Sequence, residues 1–154
     1  MMEEDVTIRS YRTEDLDAVS ELEGKVFDSN AYPPFFFQQA KDVFGNLFRV
    51  AENGEGQVVG YVLGSLQAGT KEGWILSLAV AQEHRRKGIG KMLMETVVNI
   101  LAQRGATSIF LTMEPDNENA RKTYQRLGFH EFGIEKNYFG TGETRVLMQR
   151  KLVN

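Results

Sequence analysis

The sequence predicts an α/β (α+β) chain, one mixed and mostly antiparallel sheet with helices on both faces, in the order β-α-α-β-β-β-α-β-α-β-β. Three observations predict it. Apolar residues alternate with polar ones in short stretches and recur every three to four residues in longer ones. Tight glycine-containing turns join the early strands, which makes them antiparallel. The strand–helix–strand run from 74 to 113 has room for a right-handed crossover and hence a parallel pair.

The elements follow in order. "VTIRSY" (6–11) alternates as a strand does. Thr13 is placed to cap a helix whose first turn carries Glu14 and Asp15 and whose apolar stripe is Leu16, Val19, Leu22 and Val26. The double proline of "DSNAYPPFFFQQ" breaks it, and a second helix runs from about Pro34 to Gly45. "NLFRVAE" and "GQVVGYVLGSL" are strands joined by the turn "NGEG". "WILSLAV" (74–80) is nearly all apolar, as a strand buried on both faces would be. Ile89, Leu93, Val97, Ile100 and Leu101 lie at helical spacing, and Gly105 suits the C-cap. "SIFLTM" (108–113) is a strand and "NENARKTYQRL" (117–127) a helix stopped by Gly128. "FHEFGIEKNYF" and "TRVLMQRKL" pair around "GTG". With no repeat or linker, residues 1–154 are expected to form a single domain.

Composition narrows the function. Hydrophobic residues make up 42% of the 154, enough to build a core. There is no cysteine, so disulfides and thiolate metal sites are excluded. No apolar run reaches the roughly 18 residues of a membrane span, and the start "MMEEDVTIRS" is acidic, unlike a signal peptide. The net charge of −3 argues against a nucleic-acid partner. A cytoplasmic chain without metal, acting as a monomer or homodimer, is the expectation.

Against that acidic background, "QEHRRKGIGKML" gathers Arg85, Arg86, Lys87 and Lys91 around Gly88, Ile89 and Gly90 at a helix start. A helix N-terminus offers unpaired N–H groups and partial positive charge, and bare glycines let an anion approach them. This makes a phosphate or pyrophosphate site. The Lys-Ser/Thr pair of a nucleotide-triphosphate loop is missing, and Leu93 stands where a dinucleotide motif wants glycine. A solvated basic turn whose glycines only relieve the backbone is the alternative.

The surroundings favour the site. "LSLAVAQEHRRKGIGKML" resembles the acetyl-CoA-binding motif of the GNAT superfamily of N-acetyltransferases, Arg/Gln-x-x-Gly-x-Gly/Ala, through Arg85, Gly88 and Gly90. "NENARKTYQRLGF" resembles that superfamily's second signature through Asn117, Ala120, Tyr124, Gly128 and Phe129. The order of elements agrees with the GNAT-type sheet from end to end. The resemblance implies acetyl-CoA as cosubstrate. It implies that backbone groups of Leu78, Ala79 and Val80 bond the pantetheine arm, that Arg86 to Lys91 wrap the pyrophosphate, and that Asn117 contacts the cofactor. Tyr124 would sit by the sulfur as general acid. On spacing alone, Tyr124 shares a helix face with Ala120 and Leu127, so a core tyrosine is the plainer role, and Asn117 is equally an N-cap.

Within the superfamily the chain looks most like RimI-type and archaeal N-terminal peptide acetyltransferases. "AYPPFFF" resembles their substrate-side loop and "EKNYF" their late strand, which makes Tyr32, Phe35 and Tyr138 candidates to hold a peptide start. Three consecutive phenylalanines cannot all face one way, so some belong to the core. Two positions depart from the pattern. Thr112 stands where the bacterial enzymes carry a catalytic Glu, and Asn30 where archaeal relatives often have an acid. Glu114 shares the strand face of Thr112 if the strand continues, and is the candidate replacement base. The expected acceptor is the α-amine of a peptide or protein. A small amine such as a polyamine or amino-acid derivative is the alternative, as is a weakly catalytic CoA-sensing module.

Overall fold

The computed structural model describes residues 5–152. The acidic start at 1–4 lies outside them. The observed order is β1 (Val6–Ser10), α1 (Leu16–Phe27), α2 (Pro34–Phe44), β2 (Phe48–Asn53), β3 (Val58–Leu66), β4 (Glu72–Val80), α3 (Ile89–Gln103), β5 (Ser108–Met113), α4 (Glu118–Arg126), β6 (His130–Glu135) and β7 (Arg145–Lys151). The strands form a seven-stranded sheet in the order β1-β2-β3-β4-β5-β7-β6, parallel between β4 and β5. Fold class and element order are those the sequence predicts.

The chain divides into two compact units, Met1–Ser65 with Ser77–Ile100, and Leu66–Leu76 with Leu101–Asn154. In the first, β1 and β2 pair antiparallel from Val6–Asn53 to Ser10–Arg49, and β2 pairs β3 with a register shift at Ala51/Glu52. Its core is aromatic: Phe37, Phe48 and Tyr61 are fully buried and meet at centroid distances of 5.5–6.1 Å. Tyr11 stacks on Phe48 at 4.1 Å. Gly60 of β3 allows the sheet to approach α3, since a Cβ there would sit 3.1 Å from the Ala79 carbonyl oxygen and from Leu93 Cδ1.

In the second unit, β5 pairs β7 antiparallel from Ser108–Lys151 to Met113–Val146, and β6 adds to β7. One face buries Ile109, Leu111, Met113, Val146 and Met148. The other carries the row Trp74–Phe110–Phe132, with centroids 5.3 and 5.7 Å apart, which ends in exposed Phe132.

Three local expectations change. Thr13 does not cap α1 but begins a 3-10 turn, Thr13–Asp15. The carboxylate of Asp15 instead accepts the Arg12 N–H at 2.8 Å. β4 begins at Glu72, and its Trp74 and Leu76 are only half-buried, so the double burial inferred from its apolar composition holds for Ser77–Ala79 alone. The late strand stops at Glu135, because Asn137 takes a left-handed φ of 57° and its Oδ1 accepts the Gly142 N–H at 2.8 Å.

Candidate active site

The basic loop lies in the first unit, between β4 and α3. β4 leaves through Ala81, whose N–H donates to the Val59 carbonyl at 2.9 Å, into the 3-10 turn Gln82–His84. Arg85 folds back, its Nε donating to the Val80 carbonyl at 3.1 Å. Arg86 and Gly88 both take left-handed conformations, at φ of 66° and 80°. Alternating left-handed residues turn backbone N–H groups into a concavity that suits anions. α3 then starts at Ile89, and its first turn has N–H groups without intrahelical acceptors. Gly90 is spacious, since a Cβ there would meet only Val80 Cγ2 at 3.7 Å. The side chains of Arg85, Arg86, Lys87 and Lys91 are exposed. Ile89 is buried and anchors the loop. Donor geometry, space and charge therefore fit a pyrophosphate.

Leu78, Ala79 and Val80 form the strand end beside this loop, and the parallel ladder of β4 with β5 covers only Glu72–Trp74 against Ser108–Phe110.

Elsewhere in the first unit, Tyr32 precedes α2 and stacks on Phe36 at 4.3 Å, with Phe37 edge-on at 6.2 Å. The three phenylalanines separate as anticipated. Phe37 is 0% exposed, Phe36 half-buried, and Phe35 72% exposed, free of the core.

In the second unit, Asn117 caps α4, its Oδ1 accepting the Ala120 N–H at 3.0 Å. Arg121 fastens α4 through the Pro115 carbonyl at 2.7 Å and through Glu118 and Glu131. Tyr124 is half-buried and edge-on to Phe129 at 6.2 Å. Burial alone pushes its hydroxyl up to about 12. Thr112 is half-buried on the same β5 face as Phe110. β5 ends at Met113, so Glu114 lies beyond the strand, exposed, and the shared-face condition for it is not met. Tyr138 is part-exposed on the loop after β6, edge-on to Phe139 at 4.7 Å, while the Arg145 guanidinium lies over the Phe139 ring at 5.0 Å.

One cluster escaped the sequence reading. Glu23 of α1, Tyr61 of β3 and Ser77 of β4 are buried together in the first unit. The Tyr61 hydroxyl donates to Glu23 and lies 2.7 Å from Ser77 Oγ, and Ser77 Oγ donates to Glu23 at 3.2 Å. Part of the signal was present: Glu23 interrupts the apolar stripe of α1 and Ser77 the apolar run of β4. Among the described residues, no group of three or more His, Asp or Glu is placed to hold a metal ion, and no helix is long and apolar enough to cross a membrane.

The chain is similar to known proteins over most of its length. The family model described as Acetyltransferase (GNAT) family matches residues 10–129. An uncharacterized N-acetyltransferase of Methanocaldococcus jannaschii is 37% identical over 96% of this chain and 92% of its own. An N-alpha-acetyltransferase of Sulfurisphaera tokodaii is 30% identical over 94% of this chain and 92% of its own. Among solved structures, Ard1 from Thermoplasma volcanium aligns with a TM-score of 0.86 at 25% identity, covering 97% of this chain and 99% of that one.

Proposed function

The chain belongs to the acetyltransferase (GNAT) family and is an N-acetyltransferase, and from that premise we propose that it moves the acetyl group of acetyl-CoA to the α-amine of a peptide or protein N-terminus. The observation that carries the donor half is the left-handed pair Arg86 and Gly88 opening α3. In this reading the pyrophosphate sits on the loop from Arg85 to Lys91, and the pantetheine arm bonds the backbone of Leu78, Ala79 and Val80. Asn117 contacts the cofactor beside its capping role. The acceptor half is supported by the nearly full-length likeness to an N-alpha-acetyltransferase, with Tyr32, Phe35, Thr112 and Tyr138 as the residues that would meet the peptide.

The neutral amine nitrogen attacks the thioester carbonyl, forming the C–N bond as the C–S bond breaks. Backbone N–H groups of the β4 end stabilise charge developing on the carbonyl oxygen. The departing sulfur takes a hydrogen bond from Tyr124. A phenol at about 12 stays protonated through the physiological range, so it serves as a donor and not as a base. It is also a weaker acid than an ordinary thiol at about 8.5. The proton therefore passes fully to sulfur only where the thiolate shares the same desolvation and is raised with it. The second proton leaves the amine. With Thr112 in place of a carboxylate, water held by its hydroxyl is the carrier, and Glu114 is the side-chain alternative.

Matched peptides test the acceptor. One has a free N-terminus and no lysine, and the other a blocked N-terminus and one internal lysine, with a polyamine panel beside them. Faster acetylation of the free N-terminus is expected. Faster turnover of the lysine peptide or of a polyamine overturns the acceptor assignment.

A further inference from the structure

Glu23 is 1% exposed, and no step above uses it. A carboxylate buried that deeply persists only where donors meet its oxygens. Three do, from three separate segments. The hydroxyls of Tyr61 (β3) and Ser77 (β4) meet Oε1. Oε2 accepts the backbone N–H of Tyr32 at 2.8 Å. Burial first, and then the neighbouring Glu23 charge, push the Tyr61 hydroxyl well above its ordinary pKa, so Tyr61 is a fixed donor. Tyr32 is different in kind. It lies outside regular structure, between the 3-10 turn Asp28–Asn30 and α2, so its backbone N–H is not part of a helix or strand ladder. All four residues belong to the first unit.

We propose that Glu23 is a positioning residue for the acceptor side: its buried carboxylate latches the Tyr32 backbone to β3 and β4 and so sets where the Tyr32 ring stands. The latch fixes the backbone from which the ring projects, and the ring itself stacks on Phe36 and meets the fully buried Phe37. Ser77 Oγ and the Tyr61 hydroxyl hold the other carboxylate oxygen from β4 and β3, so the latch is anchored in the sheet. The inference rests on the peptide-acceptor reading for its consequence in catalysis, but the latch itself is a property of the free protein.

The two are tested together on the full chain, using wild type, Glu23→Gln and Glu23→Leu. Gln keeps an oxygen for the Tyr32 N–H by turning its NH2 toward the Tyr61 and Ser77 hydroxyls, which can accept. Leu keeps bulk and removes the acceptor. Amide hydrogen exchange of Tyr32 should be slow in wild type and Glu23→Gln, and faster by about tenfold or more in Glu23→Leu, the effect expected from losing one buried hydrogen bond. KM for a free-N-terminus peptide should rise by about tenfold in Glu23→Leu and by much less in Glu23→Gln, with the CoA dissociation constant unchanged in both. A purely structural role for the cluster would weaken CoA binding, kcat and peptide KM in parallel, and that result overturns the proposal, as does an unchanged peptide KM in folded Glu23→Leu. If Glu23→Leu does not fold, unprotected exchange of Tyr32 in wild type is sufficient to overturn it. Failure of wild type to acetylate any peptide while the Tyr32 amide stays protected overturns the acceptor reading and leaves the latch standing.

Discussion

Arg9 holds Asp15 through two parallel N–H···O bonds of 2.8 and 2.9 Å, and its Nε donates to Glu52 at 2.9 Å. β1 is thereby tied both to the entry of α1 and to β2. Burial alone would raise the Asp15 carboxyl, but the Arg9 hydrogen bonds, the Arg12 N–H and both guanidinium charges outweigh it and leave the pKa below the ordinary carboxylate value. A depressed carboxyl contributes stability above its unfolded pKa of about 3.9 and loses it as pH falls through the folded value. Asp15→Asn should cost about 2 kcal/mol at pH 7, since it leaves a part-buried guanidinium short of its partner. The gap from wild type in denaturant melts should narrow as pH drops below about 4. A gap constant from pH 7 to 2 would show that the pair carries none of the acid sensitivity.

The loop yields a prediction that separates folding from binding. Position 90 is helical and uncrowded, with 3.7 Å to its nearest side-chain atom for an added Cβ. Gly90→Glu should keep or slightly raise the melting temperature, because a carboxylate in a helix's first turn is favourable by about 0.3–1 kcal/mol. CoA binding, followed by calorimetry, should be abolished by the same charge. Gly88→Ala should instead destabilise the protein by about 1 kcal/mol, because φ there is 80°. Undiminished CoA affinity in folded Gly90→Glu would remove the pyrophosphate from this loop.

Tyr124→Phe keeps the edge-on contact with Phe129 and deletes only the hydroxyl. In single-turnover experiments, where chemistry is observed directly, the rate should fall by about 10²-fold, within the usual range for acid–base groups. CoA affinity should stay within twofold or so. The wild-type rate should show no loss of a phenolic proton below pH 10, since that group titrates near 12. A descending limb centred near 10 that vanishes in Tyr124→Phe would contradict its burial.

The missing carboxylate predicts a pH profile. An α-amine has a pKa of about 7.7–8.0 and lysine about 10.4, so neutralising lysine at pH 7 costs about 3 kcal/mol more. A site with Thr112 in the base position suits the easier amine. kcat/KM for a free-N-terminus peptide should rise with pH and level off near the α-amine value. Thr112→Glu should remain active and gain rate near neutrality. Glu114→Gln should leave the rising limb in place if water carries the proton, while a limb lost in that variant makes Glu114 the base.

How much of this was legible depended on range. Element order, the Gly88–Gly90 loop and the Asn117 cap are local signals, a glycine or a capping side chain acting within a few residues, and they read directly. Strand ends were less legible. β6 stops where Asn137 turns left-handed, a preference that asparagine signals only weakly in sequence. The Thr13 cap failed because Asp15, two residues on, is claimed by Arg9 and by the Arg12 N–H. The Glu23 cluster was invisible as a cluster, because its members are 16 to 54 residues apart and only the fold brings them together. Glu23 was nonetheless a visible anomaly, and a charged residue on an apolar stripe asks for partners before their identity is known.

The cations of the loop from Arg85 to Lys91 sit on a chain whose net charge is −3. An approaching polyanion such as CoA is therefore repelled by the molecule at large and attracted only at close range. At an ionic strength near 0.15 M the Debye length is about 8 Å, so the far repulsion is screened while the contact attraction largely persists. Added salt then moves both halves of capture the same way: encounter quickens as the long-range barrier fades, and departure quickens as the contacts weaken. Affinity should vary little with moderate salt while exchange of CoA in both directions speeds up, which suits a transferase that must release its spent carrier on every cycle.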